Sequence, residues 1–447
     1  MNDSGVELLA ADLSTDRLHA ALRDPALASM NFLNQVANRF PKAISLAAGR
    51  PSEDFFDVDD LSRYLRIFCE YLTAEKGADV ELVRRTLFQY GRTKGIIHEL
   101  LARHLACDEG IDVDPESIVV TVGCQEAMFL VLRALRMDEH DVVLTVSPGY
   151  VGLTGAARLV EMSLWPVRET KDGIDLDHLV EQIEAVRAAG KRPRAFYLVP
   201  DFANPSGASL DLKARHQLLA IAAEHDLLIL EDNPYGLFQA EDGQRLPTLK
   251  ALDTSRRVIY LGSLAKTCFP GVRIGFVVAD QRVAGADDGG SVLFADELSK
   301  IKSMLTVNTP PVAQAIAAGK LLEHGCSLTN ANVREMQLYS RNLRLLLDGM
   351  DRRFPRGDNH QVSWNTPRGG FFVVVTVPFL ADNTALEYGA SKYGVLWTPM
   401  SHFYDGCGGE NQLRLSVSVV SPDEIEAGLD RLAMLIADLS AKELCTQ

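Results

Sequence analysis

Two cations lie close together in the stretch YLGSLAKTCFPGVRIGF, which spans residues 260–276. Lys266 stands between short apolar runs, and Arg273 follows seven residues later. A lysine in apolar surroundings is rarely buried unless it has a partner, and two neighbouring buried cations would repel each other. A ligand that binds one cation covalently and neutralises the other removes both problems. An aldehyde can form a Schiff base with a lysine, and a phosphate can pair with an arginine.

Other polar residues follow short, almost continuous apolar runs, which are expected for strands buried on both faces. In open α/β sheets, ligands bind at the carboxyl ends of such strands. We therefore expect the residues at these ends to meet at one edge of a sheet. They are Gly123, Cys124 and Gln125 after SIVVTV, Tyr150 after VVLTVSPG, Asn204 after AFYLVP, Asp232 with Tyr235 after LLIL, and Ser263 with Lys266 after VIYLG.

The chemical types in this set fit one ligand, pyridoxal 5′-phosphate. Lys266 can hold the aldehyde carbon as a Schiff base, which removes the buried ammonium. Asp232 can pair with a protonated pyridine nitrogen, and Asn204 and Tyr235 can donate hydrogen bonds to the ring oxygen. Tyr150 offers an aromatic face on which a flat ring can stack. These five residues form the predicted ring-binding set.

The phosphate of this cofactor needs a second group of residues. Backbone amides at a helix N-terminus bind anions, and Gly123, Cys124 and Gln125 open a predicted helix. Ser263 adds a hydroxyl, and Arg273 adds a guanidinium that suits a dianion. The two cations of the first stretch therefore have separate partners, a covalent bond for Lys266 and the phosphate for Arg273.

Each of these residues also has an ordinary structural interpretation. Asp232 can be a helix cap or a turn residue, and Tyr150 can be a packed core aromatic. Arg414 alternates with leucines in QLRLS, so it can face solvent from an exposed strand. Ser263 and Gly123 can serve only a turn. Their co-occurrence after separate strands favours the cofactor.

The pattern of elements predicts a sheet that brings these strand ends together. Helical and strand patterns alternate from about residue 60 to 330, which favours a mostly parallel sheet with helices on both faces. After that, one long helix, NVREMQLYSRNLRLLLDGMDRRF, precedes strands of a smaller sheet. A terminal helix begins at Ser421, with Glu424 placed as in a capping box. We divide the chain into residues 1–60, which pack with the small domain, a large cofactor-binding domain of residues 61–330, and a small C-terminal domain of residues 331–447.

Composition disfavours several classes of protein. The 447 residues carry a formal net charge of −15, which speaks against a nucleic-acid partner. The sequence shows no signal peptide and no apolar stretch of about 18 residues that would span a membrane. The seven cysteines form no CxxC pair or metal-like cluster. We therefore predict reduced thiols, a cytoplasmic location and no metal.

At the level of motifs, the sequence resembles the fold-type I pyridoxal-phosphate enzymes of the class I/II aminotransferase family. It is most similar to the branch that contains aminoadipate and kynurenine aminotransferases. This resemblance implies an α/β fold of the aspartate aminotransferase type, with a three-layer large domain around a mostly parallel sheet and a smaller α+β domain. The matching motifs are ISLAAGRP (44–51), QYGRTKG (89–95), TVGCQEAM (121–128), PGY (148–150), NPSG (204–207), EDNPYG (231–236), SLAKTCFPGVRIG (263–275), PRGGFF (367–372) and NQLRLSVS (411–418).

The resemblance also implies roles for individual residues. Lys266 would carry the cofactor and move a proton between Cα and C4′, while Asp232 would pair with the pyridine nitrogen. Arg414 would bind the substrate α-carboxylate through two parallel N–H groups, which lysine cannot copy. Gly49 and Asn204 would lie beside the substrate. Asn204 and Tyr235 would bind the ring oxygen and Tyr150 would stack on the ring. Ser263, Arg273 and the amides of Gly123, Cys124 and Gln125 would bind the phosphate.

Two more positions bear on partners and specificity. The resemblance implies that Tyr90 reaches the phosphate of a neighbouring subunit, and hence a homodimer with shared active sites. Arg50 stands where the aminoadipate-like branch usually has a smaller apolar residue, so it can either contact a polar substrate side chain or remain a solvated turn residue. Met400 stands where glycine is common, and with His402, Phe403 and Tyr404 it can line the substrate pocket.

These features predict a ping-pong transaminase that acts on an L-amino acid, with a bulky or aromatic side chain, and on a 2-oxo acid. Elimination, cyclisation or oxidation of an amino acid is the alternative, because each of these reactions begins with loss of the Cα proton. A ligand sensor on the same fold is a third hypothesis. The roughly 45 residues before the fold are too few and too acidic for a DNA-binding domain, which disfavours it.

Overall fold

The computed structural model describes residues 13–170, 173–239, 245–285, 290–355 and 362–444. The strands in these ranges are β1 (Ile44–Ser45), β2 (Ile118–Val122), β3 (Asp141–Ser147), β4 (Ser163–Thr170), β5 (Gly173–Ile174), β6 (Arg192–Leu198), β7 (Leu228–Asp232), β8 (Val258–Ser263), β9 (Ile274–Val278), β10 (Arg282–Ala284), β11 (Ser291–Leu293), β12 (Ser363–Trp364), β13 (Phe372–Thr376), β14 (Val395–Leu396), β15 (Thr398–Pro399) and β16 (Gln412–Ser416).

The α-helices in the same ranges are α1 (Pro25–Arg39), α2 (Val58–Ala74), α3 (Val80–Phe88), α4 (His98–His104), α5 (Gly123–Leu135), α6 (Val151–Leu159), α7 (Leu176–Ala188), α8 (Leu212–Glu224), α9 (Leu249–Leu252), α10 (Phe294–Leu305), α11 (Pro311–Glu323), α12 (Leu328–Ala331), α13 (Val333–Arg353), α14 (Asn383–Tyr388) and α15 (Pro422–Leu444). Within the described part of the chain, no helix is both long and apolar enough to cross a membrane.

The largest sheet has eight strands in the order β2-β9-β8-β7-β6-β3-β4-β5. Strands β8, β7, β6, β3 and β4 pair in parallel. Strand β9 is antiparallel to both β2 and β8, so β2 runs in the same direction as the parallel set. The mostly parallel α/β sheet predicted from the sequence is confirmed.

Helices cover both faces of this sheet because its strands are apolar on both faces. In β2, Ile118 and Val120 pack on one side with Phe68 and Leu101. The intervening Val119 packs on the other side with residues of α5, α6 and α10. Since successive side chains of a strand point to opposite faces, this alternation builds three layers, as the predicted fold class requires.

A smaller antiparallel sheet, in the order β12-β13-β16-β15, forms the second part of the fold. Helices α13 and α15 pack on it, and Trp397 is fully buried in its core. The capping box predicted for α15 is confirmed: Ser421 N donates to Glu424 Oε2 at 2.8 Å, and Glu424 N donates to Ser421 Oγ at 3.3 Å. Helix α13 corresponds to the long helix predicted from residues 332–354.

The N-terminal segment joins the two parts. Strand β1 pairs in parallel with β14, and Leu46 O accepts a hydrogen bond from Ser416 N at 2.7 Å. Helix α1 contacts both parts: its Val36 is buried in the core of the smaller sheet, and Asp24 at its N-terminus pairs with Arg158 of α6 at 2.7 Å. The stretch after β1 is therefore held between the two sheets, and it continues directly into Gly49.

Candidate active site

The carboxyl ends of the parallel strands lie at one edge of the large sheet. Strand β7 ends at Asp232, and β8 ends at Ser263, three residues before Lys266. Because β9 is antiparallel to β8, its first residues also lie at this edge, which brings in Arg273. The site is thus built from short loops that a rigid sheet positions.

Lys266 lies at this edge and is half-buried. Its Nζ donates a hydrogen bond to Gly49 O at 2.7 Å. Burial, together with the nearby cations Arg414 and Arg273, lowers the pKa of Lys266 to about 8, while Asp232 acts in the opposite direction. A lysine in this position spends an appreciable fraction of its time as a neutral amine near physiological pH, the form that attacks a carbonyl.

Asp232 is the carboxylate that interacts electrostatically with Lys266, and it is 3% exposed. Its Oδ2 accepts a hydrogen bond from Tyr197 Oη at 2.7 Å, and its Oδ1 accepts one from Cys124 Sγ at 3.4 Å. Burial raises the pKa of Asp232 to about 6, and the two donors together with Lys266 oppose that shift. An anionic acceptor is therefore held in a dry, polar-lined position.

Arg414 reaches the site from β16 of the small sheet and is 5% exposed. Its guanidinium lies between two rings, with Cζ 4.2 Å from the centroid of Phe372 and 4.9 Å from that of Phe403. Nη1 donates to Asn204 Oδ1, and Nη2 donates to Ala47 O at 2.9 Å. The buried Nε has no hydrogen-bond partner among the described residues. Burial lowers the pKa of Arg414 to about 10, so it remains charged at neutral pH.

An aromatic wall continues from Arg414 to the ring-binding residues. Tyr235 is 4% exposed, packs edge-on against Phe372 and interacts with Asn204. Tyr150 contacts a cluster that includes Met400 and Phe403. Burial raises the pKa of both Tyr150 and Tyr235, so both phenols stay protonated and able to donate.

The predicted phosphate end has bare backbone amides beside a guanidinium. Gly123 begins α5 with φ +72, and a Cβ at this position would collide with Arg273. The Gln125 side chain donates to Gly152 O at 2.6 Å, and Ser263 Oγ accepts from Ala265 N at 3.3 Å. Only a glycine at 123 allows Arg273 to lie over the helix N-terminus, where an anion is favoured.

Three predicted residues lie apart from this set. Arg50 is exposed and pairs with Glu53 at 3.2 Å, although its carbonyl accepts a hydrogen bond from Ser418 Oγ at 2.6 Å. Tyr90 is 86% exposed, so within one chain it faces solvent. His402 also turns away from the site, because its ring nitrogens lie near Ser29 and Asn383.

Sequence reasoning did not identify Tyr197 and assigned Cys124 only for its amide. Tyr197 lies inside the apolar run AFYLVP, where a tyrosine is indistinguishable from a packed core aromatic. The only available signal was its place near the carboxyl end of a strand neighbouring that of Asp232. The thiol of Cys124 likewise gave no signal of its partner.

Comparisons with known proteins agree with this geometry. The sequence profile of the family "Aminotransferase class I and II" matches residues 70–432. The chain belongs to the aminotransferase class I and II family. The recognition made from the motifs is therefore confirmed, as are the predicted reaction class, transamination, and the predicted cofactor, pyridoxal 5′-phosphate.

Three relatives show how far the similarity extends. The chain is 55% identical over 428 residues to a (S)-3,5-dihydroxyphenylglycine transaminase of Amycolatopsis orientalis, covering 96% of this chain and 95% of the relative. It is 31% identical over 405 residues to a 2-aminoadipate transaminase of Thermus thermophilus, covering 90% and 92%. The crystal structure of the Pyrococcus horikoshii kynurenine aminotransferase in complex with PMP superposes with a TM-score of 0.78 at 28% identity, covering 95% and 97%.

The residues of this aminotransferase fit its cofactor. The Lys266 amine would supply a covalent anchor, the buried Asp232 carboxylate an anion for a pyridine nitrogen, and the amides at Gly123 a phosphate cradle. The buried Nε of Arg414, which has no partner among the described residues, would be free to donate to a substrate carboxylate. The described donor set therefore matches the chemistry of the group.

Strand β9 packs closely against the backbone at Gly123 and Cys124, the predicted phosphate-binding amides, and this contact gives a first prediction. A Cβ added at Gly275 would lie 2.5 Å from Cys124 N and 2.6 Å from Gly123 C, so Gly275→Ala must displace these amides. We expect the dissociation constant for pyridoxal phosphate to rise at least about tenfold, because hydrogen bonds to a charged phosphate are lost. A fluorescence titration of the apoprotein measures it.

The matched control is Gly271→Ala in the turn just before β9, where the added Cβ meets no heavy atom within 4 Å. This variant should bind the cofactor like the parent chain. Equal dissociation constants for the two variants would show that the backbone of β9 does not set the cradle.

The lowered pKa of Lys266 gives a second prediction, for the apoprotein. Its pKa is about 8 when folded, against an ordinary value of 10.5, so the unfolded chain binds the proton more tightly. The folded state is therefore penalised below pH 8, and the penalty disappears as the pH rises to 10.5. Relative to Lys266→Met, the parent apoprotein should gain up to about 3 kcal/mol in its free energy of unfolding between pH 8 and 10.5.

Urea unfolding at several pH values measures this difference. Lys213→Met, on the exposed surface of α8, is the control and should show a difference that is constant over the same range. A constant difference for Lys266→Met as well would mean that Lys266 titrates normally.

Proposed function

We propose that this aminotransferase transfers the amino group between an L-amino acid whose aromatic ring is attached close to Cα, of the arylglycine class, and a 2-oxo acid. The observation that carries the proposal is the aromatic enclosure of Arg414, whose guanidinium lies between Phe372 and Phe403 with its Nε unpaired. The relative from Amycolatopsis orientalis, named for a dihydroxyphenylglycine, supports the same substrate class.

In the proposed site, Arg414 binds the substrate α-carboxylate. Its Nε and Nη groups form a planar fork that matches a carboxylate, and the low-polarity surroundings strengthen the pairing. Asn204 is already bonded to this guanidinium and fixes its orientation from the side of the large sheet. The carboxylate thus sets the position of Cα relative to Lys266.

Lys266 is the proposed base. When bound, pyridoxal phosphate supplies an electron-withdrawing ring that stabilises negative charge at Cα. Lys266 Nζ, neutral above a pKa of about 8, would take the proton from Cα and deliver it to C4′. The Asp232 carboxylate would pair with the protonated ring nitrogen. Asn204 and Tyr235 would donate hydrogen bonds to the ring oxygen, and Tyr150 would stack on one face of the ring.

The phosphate is proposed to lie on the amides of Gly123, Cys124 and Gln125, with Ser263 and Arg273 beside them. The glycine at 123 and the guanidinium above it support this assignment. Burying a dianion against one cation and a helix N-terminus offsets the cost of removing it from water.

The space for the substrate side chain follows from Gly49. A Cβ at this position would lie 2.9 Å from Phe372 Cζ, so glycine keeps the backbone in contact with the ring. The segment around Gly49 therefore forms one wall of the pocket, and Phe372 and Phe403 form the aromatic surface nearest the carboxylate fork. A ring attached to Cα would pack on this surface. Arg50 remains a proposed contact only for substrates that extend to the surface.

The third prediction concerns the donor. In single turnover, arylglycines such as 3,5-dihydroxyphenylglycine and phenylglycine should yield stoichiometric 2-oxo acid and pyridoxamine phosphate, followed by absorbance and chromatography. Arg414→Lys should raise KM for these donors at least about tenfold, because a lysine cannot provide the planar fork. Arg352→Lys, at the exposed Glu426 pair, is the control and should leave KM nearly unchanged.

Two outcomes would contradict the proposal. Release of ammonia without pyridoxamine phosphate would favour the elimination or oxidation alternative. Turnover of aliphatic or acidic donors only, with no product from any arylglycine, would reject the substrate class and leave the transaminase reaction in place.

We also propose that the protein is a homodimer in which Tyr90 reaches the phosphate of the partner's site. Tyr90, Phe88 and Met304 are 86%, 77% and 88% exposed. The chain at Gly91 adjoins Asn308, so these side chains belong to one surface region. Large exposed apolar side chains in one region are typical of an interface.

Subunit mixing gives the fourth prediction. Lys266→Ala should be inactive because its own base is missing, and Tyr90→Phe should bind the cofactor more weakly. In a mixed dimer, the site with an intact Lys266 receives its Tyr90 from the Lys266→Ala partner, so mixing should restore cofactor affinity and activity. A monomeric mass by light scattering, or no recovery on mixing, would overturn the shared site.

Two organisational proposals accompany the function. We propose that residues 1–60, 61–330 and 331–447 act as the segment and the two domains predicted from the sequence, which is supported by the separate cores of the two sheets. We propose a cytoplasmic location, which is supported by the unpaired state of all six cysteines in the described ranges.

A further inference from the structure

Both oxygens of Asp232 are bound by donors from other elements. Tyr197 lies on the neighbouring strand β6, is 2% exposed and donates through Oη to Oδ2 at 2.7 Å. Cys124 lies in the first turn of α5 and donates through Sγ to Oδ1 at 3.4 Å. The carboxylate is therefore held from two sides by groups that do not belong to its own strand.

Both donors keep their protons in this setting. Burial and the adjacent Asp232 carboxylate raise the pKa of the Tyr197 phenol and of the Cys124 thiol well above their ordinary values. Neither group can therefore become a competing anion at neutral pH, and each can act only as a donor towards Asp232.

A buried carboxylate without donors would favour its neutral form. Burial is the largest effect on Asp232, and Tyr197, Cys124 and Lys266 work against it. With Lys266 bonded to the cofactor, the phenol and the thiol would be the protein groups, beside the ring nitrogen itself, that oppose protonation of Asp232. A protonated Asp232 would be a weak partner for a cationic ring nitrogen.

We propose that Tyr197 and Cys124 are positioning residues that keep Asp232 ionised and aimed, so that the proton shared with the cofactor stays on the pyridine nitrogen. The inference rests on the proposed role of Asp232. Donors to a carboxylate lower its basicity, and a less basic carboxylate leaves the proton on nitrogen. Because a thiol is a weaker donor than a phenol, Tyr197 should carry the larger share.

The fifth prediction is read from the cofactor itself. The holoenzyme is prepared with pyridoxal phosphate labelled with ¹⁵N in the ring, and the ¹⁵N chemical shift is measured without substrate. The parent enzyme should show a protonated pyridine. Tyr197→Phe should move the shift towards the unprotonated value, Cys124→Ala should move it less, and Cys124→Ser should return it to the parent value because a hydroxyl donates in place of the thiol.

Kinetics give a second readout on the same variants. Tyr197→Phe should lower kcat by about tenfold, the effect of losing one hydrogen bond to a charged group, while KM for the amino acid stays nearly unchanged. If Tyr197 served only in packing, Tyr197→Phe would not lower kcat at constant KM and also change the ¹⁵N shift. If Cys124 served only in packing, Cys124→Ser would not restore the ¹⁵N shift that Cys124→Ala changes.

The control variants remove a phenol hydroxyl or a thiol from other buried positions that do not contact Asp232. Tyr260→Phe removes a hydroxyl on β8 that lies 3.3 Å from Asn233 Nδ2, and Cys268→Ala removes a thiol that is 3% exposed. Neither variant should change the nitrogen shift. Circular dichroism checks that each variant is folded, and if Tyr197→Phe is not folded, the Cys124 pair decides the question.

A parent-like nitrogen shift in both Tyr197→Phe and Cys124→Ala would overturn the inference, as would equal changes in the controls. Since the measurement uses no substrate, an error in the proposed arylglycine specificity would leave it unaffected. A failed donor screen and a failed ¹⁵N test are therefore distinguishable.

Discussion

Buried positive charge is the constraint on which this active site depends. Arg414 is buried and Lys266 half-buried, both have a lowered pKa, and the charge of Arg414 acts on Lys266. Asp232 acts on Lys266 in the opposite direction. Such an arrangement is costly without partners. In the proposed site, a covalent bond to the cofactor would remove the charge of Lys266, and the substrate carboxylate would pair with Arg414.

Main-chain carbonyl oxygens accept hydrogen bonds from both Lys266 and Arg414. Gly49 O accepts from Lys266, and Ala47 O accepts from Arg414. Ser418 Oγ also binds this segment, through Ala48 O and Arg50 O. The segment after β1 is therefore part of the site rather than a connection between its parts.

The sequence predicted the strand-end residues because parallel strands end at one edge of a sheet, whatever the details of their register. Asp232, Asn204 and Lys266 could be placed in this way. The contact between Tyr197 and Asp232 could not be predicted, because a side chain within a buried strand can face either layer of helices. Only the pairing of β6 with β7 brings Tyr197 beside Asp232. The proposed role of Tyr90 would require a second chain, and the structure of one chain shows only that Tyr90 is 86% exposed.

The placement of Arg50 supports the proposed preference of this pocket for an aromatic side chain over an acidic one. An acidic side chain would need a second buried cation, but the Arg50 guanidinium pairs with Glu53 at the surface. The groups next to the carboxylate fork are instead the rings of Phe372 and Phe403. A ring on Cα would pack against them and exclude water from the Arg414 guanidinium, and each hydrogen bond to the carboxylate gains from the lower polarity. The substrate would then complete the enclosure that the protein leaves open at Arg414 Nε.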